Sequence, residues 1–189
     1  LSSLAAKNVA ASDVPFFLGA GVYYHHVPAT VDYIIQRSEF LTAYTPYQPE
    51  IAQGTLQVVF EYQTFIAKMT GQEVANASLY DGSTSMTEAV LMAMRITKRK
   101  KVAVATPLHP EYRDVMTSYL KNLGEPQIID GGPDDETACV IVQSPDFFGQ
   151  PHKYDSFRKQ CDETGALLIV VINEIVSLGM LPAPDVADI

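Results

Sequence analysis

The stretch KVAVAT at residues 101–106 decides the fold, because it is an apolar run between two segments with helical periodicity, 84–98 and 110–122. The alternation continues with QIID at 127–130, CVIVQS at 139–144, a helical segment at 154–164 and an apolar run at 166–172. Apolar strands that alternate with amphipathic helices are typical of a parallel sheet covered on both faces. The sequence therefore predicts an α/β fold with a mostly parallel sheet and helices on both faces.

The first part of the chain lacks this alternation. Thr30 can cap a short helix at 30–38, and a longer helix from about 50 to 70 is expected to end at Gly71. We therefore expect an N-terminal helical and extended arm segment at 1–74 and an α/β large domain at 75–189. Because the chain begins with Leu1 and ends soon after a strand and turn, we expect a fragment whose large domain continues.

The charge and hydropathy of the chain exclude two classes of partner. The 189 residues carry a net charge of -9, which disfavours nucleic acid and anionic membrane surfaces, since both require a basic face. The longest apolar run, at 166–172, is shorter than the roughly 20 residues that cross a bilayer. Cys139 and Cys161 lack metal-ligand spacing, so we expect reduced thiols in a cytosolic or organellar interior.

Polar residues follow the predicted strands at one edge of the sheet. Ligands of open α/β sheets bind beyond the carboxyl ends of the strands, where the following loops converge. The loops at 78–85, 106–110, 144–150 and 173–179 are expected to meet there. They carry Ser83, Thr84, His109, Ser144, Asn173 and Glu174.

The segment YDGSTSMTEA at 80–89 allows two interpretations. Gly82, Ser83 and Thr84 leave backbone N–H groups free at a helix start, which favours a bound anion such as phosphate. Alternatively, Ser85 with Glu88 forms an S-x-x-E capping box, which explains the segment without any ligand.

A second unusual segment, YTPYQPEIAQG at 44–54, precedes the longer helix. Pro46 and Pro49 restrict the backbone and hold Tyr47 and Gln48 in an extended arm. The arm either presents these side chains outward or packs them against neighbouring elements.

Histidines and lysines add little to the sequence signal. His25 and His26 are adjacent, so in an extended segment they point in opposite directions and form a poor metal site, and we expect no bound metal. The lysines fall on helices, helix ends or polar turns, where none suits a Schiff base.

Four segments carry a family resemblance: FLGAGVYYHHVPATVD at 17–32, YTPYQPEIAQGTLQ at 44–57, the long run from Phe60 to Arg95, and HPEYRDV at 109–115. Together they resemble the P-protein of the glycine cleavage system, glycine dehydrogenase (decarboxylating), and specifically the first subunit of its two-subunit form. The resemblance extends from about Val14 to Ile189. It implies the large domain of a fold-type I pyridoxal-phosphate enzyme.

The resemblance also implies an activity and a set of partners. Such an enzyme uses pyridoxal phosphate to decarboxylate glycine and passes the aminomethyl group to the lipoyl arm of the H-protein. In bacteria with two chains, the Schiff-base lysine lies on the homologous second subunit, so the cofactor is not expected to be covalently bound to this chain. The implied assembly is a cytoplasmic heterotetramer.

The resemblance implies cofactor-binding positions at the predicted edge. Gly82, Ser83 and Thr84 match the phosphate cup, and His109 matches a ring stacked over the cofactor pyridine. The aspartate that contacts the pyridine nitrogen falls near Asn173 and Glu174, and neither is an aspartate. Glu174 is therefore the candidate for this contact, although its side chain is longer than that of aspartate and would have to approach the pyridine nitrogen differently. The family usually has a proline before SLG, where this chain has NEIVSLG.

Catalytic contributions are expected from the N-terminal segment. Tyr47 and Gln48 are predicted to hydrogen-bond the glycine carboxylate or the cofactor, and Tyr23, Tyr24 and His25 to line the channel that admits the lipoyl arm. Two alternatives remain open. One is a self-sufficient pyridoxal-phosphate lyase or aminotransferase with its lysine beyond residue 189, and the other is a non-catalytic scaffold subunit.

Overall fold

The computed structural model describes residues 1–19, 22–41, 43–124 and 126–184, and these ranges form six α-helices and one four-stranded sheet. The helices are α1 (Ser2–Ala5), α2 (Ala29–Ile35), α3 (Gln53–Thr70), α4 (Gly82–Thr97), α5 (Pro110–Leu120) and α6 (Asp155–Thr164). The strands are β1 (Lys101–Val104), β2 (Gln127–Asp130), β3 (Thr137–Gln143) and β4 (Leu167–Val171). Short 3-10 helices occupy Ala11–Asp13 and Ile175–Gly179.

The sheet has the order β2-β1-β3-β4, and all three strand pairs are parallel. Val102 of β1 lies opposite Ile128 on one side and Cys139 on the other. The strand β1 ends two residues earlier than KVAVAT predicts. At Thr106 the side-chain hydroxyl, rather than the backbone, forms the hydrogen bonds to the neighbouring strand β3. That hydroxyl accepts a hydrogen bond from the Gln143 backbone N–H at 2.8 Å and donates to the Gln143 carbonyl at 3.1 Å.

Helices cover both faces of the sheet, as the sequence predicts. One face packs against α4 and α5. The helices bury Val90 of α4 and Met116 and Leu120 of α5 in this layer of the core. The other face packs against α6 through Cys161 and Ala166. Every residue of β3 is buried, so this strand is the centre of the core.

The N-terminal helices α1, α2 and α3 contribute no residue to the buried core of the described chain. The helix α3 begins three residues later than predicted, because the backbone N–H of Ala52 donates to the Pro49 carbonyl in a preceding turn. It ends as predicted at Gly71, whose φ of 72° favours glycine. The boundary at residue 74 stays a prediction, and residues 185–189 of the predicted second unit lie outside the described residues.

The start of α4 corrects one prediction. The helix begins at Gly82, so Ser85 and Glu88 lie inside it and the predicted S-x-x-E capping box is wrong. Asp81 is the N-cap instead: its carboxylate accepts the Thr84 backbone N–H at 2.7 Å, and the Thr84 hydroxyl accepts the Asp81 backbone N–H at 3.2 Å. The box is therefore Asp81 with Thr84.

The loop after β3 is held by a buried carboxylate. Asp146 is 4% exposed and accepts backbone N–H groups from Phe148 at 2.9 Å and Gln150 at 3.0 Å. Its other oxygen lies 2.8 Å from Nε2 of His152. Burial opposes ionisation, but His152 and the two N–H donors hold the pKa of the Asp146 carboxyl below its usual value. Asp146 therefore stabilises the loop in its charged form.

The assigned core predicts that alanine substitutions of two methionines change the free energy of unfolding by very different amounts. Met116 is fully buried, so Met116→Ala should lower the free energy of unfolding by about 2–5 kcal/mol through lost contacts and a residual cavity. Met92 on α4 is 53% exposed, and Met92→Ala should change this free energy by less than about 0.5 kcal/mol. Urea denaturation of the full-length chain measures both values. Equal losses for the two variants would contradict the assigned core.

The Asp146 carboxylate predicts a pH dependence. Its folded pKa is below its unfolded value of about 3.9, so its stabilisation is present above that pH and is lost as pH falls through the folded pKa. The free energy of unfolding should therefore fall more steeply below about pH 4 in the wild type than in Asp146→Asn. The exposed Asp135→Asn variant should keep the wild-type slope. Parallel curves for Asp146→Asn and the wild type would refute the assignment.

Candidate functional site

The loops that follow β1, β3 and β4 converge at the carboxyl edge of the sheet, as predicted. The backbone N–H of His109 donates to the Gln143 side-chain oxygen at 2.9 Å, and that of Phe147 donates to the Pro107 carbonyl at 3.0 Å. The backbone N–H of Ser144 donates to Val171 at 3.0 Å. These bonds join the loops after β1 and β3 and tie the loop after β3 to the last residue of β4.

The start of α4 joins this edge with a carboxylate already in place. One oxygen of Asp81 accepts three hydrogen bonds: from the Thr84 backbone N–H at 2.7 Å, the Ser83 hydroxyl at 2.7 Å and the Thr84 hydroxyl at 2.9 Å. The Thr84 N–H, and then the Ser83 and Thr84 hydroxyls, lower the pKa of the Asp81 carboxyl. The predicted phosphate cup thus contains a negative charge from the chain itself.

Tyr112 of α5 packs directly over this helix start. A Cβ atom added at Gly82 would overlap the Tyr112 hydroxyl, so a larger residue there would have to displace the phenol. Burial chiefly raises the pKa of Tyr112, and the negative charge of Asp81 raises it further. The phenol is therefore a neutral group beside a charged carboxylate.

His109 lies next to Tyr112 and connects the α4 start with the loop after β3. Its Nδ1 accepts the Glu111 backbone N–H at 3.3 Å and so caps α5. Its ring centroid lies 5.3 Å from that of Tyr112 and 5.2 Å from that of Phe147. The structure thus places His109 at the predicted edge, and its stacking role over a pyridine ring stays a prediction.

The structure brings together two predicted site residues that are 149 positions apart. Nε2 of His25 lies 2.8 Å and 3.0 Å from the two carboxylate oxygens of Glu174. Glu174 also accepts the Val176 backbone N–H at 3.1 Å and so caps the 3-10 helix after β4. His25 therefore connects the N-terminal segment to the end of β4, and the Glu174 carboxylate is engaged on two sides.

The other predicted catalytic residues lie in exposed positions. Tyr47 is 88% exposed and Tyr24 is 79% exposed, and Gln48 is exposed as well. Tyr23 is less exposed and contacts the His25 ring edge-on at 6.1 Å. Of this group, the structure thus links Tyr23 to the sheet edge through His25, and it presents Tyr47 and Gln48 outward.

Sequence reasoning missed several residues at this edge: Asp81, Tyr112, Asp146, Phe147 and His152. Asp81 had a readable signal, because it stands three residues before Thr84 in a D-x-x-T pattern. The other four depend on contacts between loops and helices that sequence spacing does not encode.

One lysine lies within the converging loops at 105–109, 144–154 and 172–174. This residue, Lys153, is exposed and borders a cleft of about 440 Å³ that is also lined by His152, Tyr154 and residues 181–184. Among the described residues, no cluster of three or more His, Cys, Asp or Glu side chains is arranged to hold a metal ion. No helix in the described ranges is long and apolar enough to cross a membrane.

Comparison with known proteins gives consistent results. A model of the family "Glycine cleavage system P-protein" matches residues 1–189. Two relatives named "Probable glycine dehydrogenase (decarboxylating) subunit 1" are 54% identical in Beijerinckia indica and 52% identical in Maricaulis maris. Each alignment covers 97% of this chain and 44% of the relative, so the chain spans less than half the length of these relatives.

A solved structure agrees with the sequence relatives. It is a crystal structure of glycine decarboxylase (P-protein) of the glycine cleavage system in inhibitor-bound form. The TM-score is 0.87 at 44% sequence identity, over 97% of this chain and 43% of that one. The predicted resemblance and the predicted fold-type I α/β architecture are confirmed, and the chain belongs to the glycine cleavage system P-protein family.

Proposed function

We propose that this chain is part of the first subunit of a two-subunit glycine dehydrogenase (decarboxylating). In this proposal a homologous second subunit holds pyridoxal phosphate and the Schiff-base lysine. The assembly decarboxylates glycine and passes the aminomethyl group to the lipoyl arm of the H-protein. The names of the relatives support this proposal, since they denote subunit 1 of such an enzyme. We further propose a heterotetramer in the cytoplasm, and the two buried free thiols, Cys139 and Cys161, agree with a reducing compartment.

The residues of this chain do not fit pyridoxal phosphate at the predicted cup. When bound to an enzyme, this cofactor supplies an acceptor for the electrons left by the departing carboxylate. Its phosphate needs free donors, but the Thr84 N–H and the Ser83 and Thr84 hydroxyls already bind Asp81. The Glu174 carboxylate is likewise engaged by His25. We therefore assign the cofactor to the partner subunit and derive no step through it on this chain.

The exposed arm is the observation that carries the proposal. Pro46 and Pro49 restrict the backbone on both sides of Tyr47 and Gln48, and the Tyr47 side chain is 88% exposed. An ordered arm loses little conformational entropy when it enters a partner's site. In this role the Tyr47 hydroxyl and the Gln48 amide donate hydrogen bonds to the glycine carboxylate or the cofactor and help to exclude water.

The segment around His25 is assigned to the path of the lipoyl arm. The hydrogen bond with Glu174 holds His25 at the end of β4, and Tyr23 packs against the His25 ring. Tyr24 remains exposed beside them. We propose that these three side chains line the channel that admits the lipoyl group.

A scaffold subunit is the second candidate, and one surface favours it. The helix α3 exposes Val58, Tyr62, Phe65 and Met69, which follow one another at spacings of four, three and four residues. That spacing places them in one stripe along the helix, as in helices that pack against a partner helix. A scaffold needs such a surface but needs no hydroxyl at Tyr47.

The two candidates predict different results for Tyr47→Phe. This variant keeps the ring and removes one hydroxyl, so association with the second subunit should be unchanged. One hydrogen bond at a dry interface is worth roughly 1–3 kcal/mol in the transition state, so glycine decarboxylation should fall by about five- to 150-fold. Glycine–bicarbonate exchange by the reconstituted enzyme with H-protein measures the rate, and size-exclusion chromatography measures assembly.

Tyr119→Phe is the matched control, because Tyr119 is 46% exposed near the end of α5, opposite the candidate edge. This control should retain wild-type exchange. Full activity of Tyr47→Phe in an intact complex would assign the arm to packing and favour the scaffold.

The assignment of the cofactor to the partner predicts where a covalent adduct forms. After incubation with pyridoxal phosphate and reduction with borohydride, the pyridoxyl group should be found on a lysine of the second subunit. Peptide mass spectrometry of the reconstituted enzyme identifies the lysine. A stoichiometric adduct on Lys153, or on any lysine of this chain, would instead favour a self-sufficient enzyme.

A further inference from the structure

We propose that Asp81 is a resident anion that closes the α4 start of this chain to phosphate. Proteins of this fold commonly bind anions at such a helix start, and the local sequence DGST retains the small residues that allow it.

The hydrogen bonds at the helix start are the first support. The donors that a phosphate could use at this position include the Thr84 backbone N–H and the Ser83 and Thr84 hydroxyls. All three donate to a single oxygen of Asp81, at 2.7 to 2.9 Å. The Ser85 hydroxyl is also engaged, because it donates to the Asp81 carbonyl at 2.6 Å. An incoming phosphate would have to displace the carboxylate to reach these groups.

Charge is the second support. The same donors that bind Asp81 stabilise its ionised form and lower its pKa, so the carboxylate remains charged at neutral pH. A phosphate beside it would face a like charge, and this repulsion opposes the attraction of the helix macrodipole. The helix start therefore already has the negative charge that its geometry favours.

The available space is the third support. The Tyr112 hydroxyl packs against Gly82 so closely that no Cβ fits between them. Tyr112 is in turn held by the His109 ring at 5.3 Å, and His109 is fixed by its cap on α5. Moving the phenol aside would break its contact with the His109 ring. Asp81 and Tyr112 thus both lie against the exposed Gly82 at the helix start.

An ordinary N-cap makes the same contacts as a resident anion, so the test must separate the two roles. The loss of an ordinary cap only destabilises α4. The loss of a resident anion should also create an anion-binding site. Asp81→Gly removes the carboxylate and leaves glycine, which is tolerated at N-cap positions.

The experiment measures binding of inorganic phosphate to the full-length chain. Hydrogen exchange of the peptide that contains residues 80–90 is followed by mass spectrometry during a phosphate titration, with sodium chloride at equal ionic strength as the reference. Asp135→Gly is the matched control, because it removes one exposed carboxylate before β3, at the opposite edge of the sheet. Asp81→Ser is measured in parallel, since serine retains a neutral capping oxygen if the glycine variant unfolds.

We expect phosphate to protect the 80–90 peptide in Asp81→Gly, with an affinity at least about tenfold above that of the wild type. Asp81→Ser should show the same gain, while the wild type and Asp135→Gly should show no phosphate-specific protection. Phosphate protection of this peptide in the wild type would overturn the proposal, because the loop would then be open. The absence of any gain in folded Asp81→Gly and Asp81→Ser would also overturn it.

Discussion

The burial of β3 on both faces is the constraint on which the rest of the structure depends. All seven residues of this strand are buried, and parallel neighbours on both sides satisfy its backbone. Because the strands are parallel, their carboxyl ends lie at one edge, and the loops after β1, β3 and β4 must meet there. The parallel direction of the strands is the reason that three residues from different loops share this edge: His109, Asp146 and Glu174.

The α4 start shows how one backbone geometry can serve two purposes. Free N–H groups and the macrodipole favour negative charge at a helix start, and they do not distinguish a ligand phosphate from a side-chain carboxylate. In this chain the carboxylate of Asp81 satisfies them, and Tyr112 packs over Gly82. Two relatives can therefore share the backbone conformation of this loop and still differ in the anion that it binds, because one side chain decides which anion is present.

Much of the fold was predictable from sequence, and less of the site was. The alternation of apolar strands and amphipathic helices fixed the layer order, because burial on both faces leaves no polar positions in strands such as β3. The edge at which ligands bind followed from parallel topology alone. The capping prediction for Ser85 and Glu88 failed because the N-cap is Asp81, four residues before Ser85. The His25–Glu174 contact could not be predicted, since it joins segments 149 residues apart through tertiary packing. The Asp146–His152 contact lies within one loop, but it depends on how that irregular loop folds back on itself, which residue spacing does not encode.

The N-terminal segment follows different physical rules from the sheet. The large side chains of Phe17, Tyr44, Tyr47 and Phe60 are each more than 70% exposed, whereas the segment that follows residue 80 forms a closed core. The helix α3 exposes Phe60, Tyr62 and Phe65, and an exposed apolar face of this kind is typical of an interaction surface. The hydrogen bond between His25 and Glu174 fixes one point of this segment to the sheet edge, while the arm before α3 stays exposed. The chain thus combines a sheet edge, where the α4 start already binds the Asp81 carboxylate, with a proline-restricted arm whose Tyr47 and Gln48 side chains are exposed.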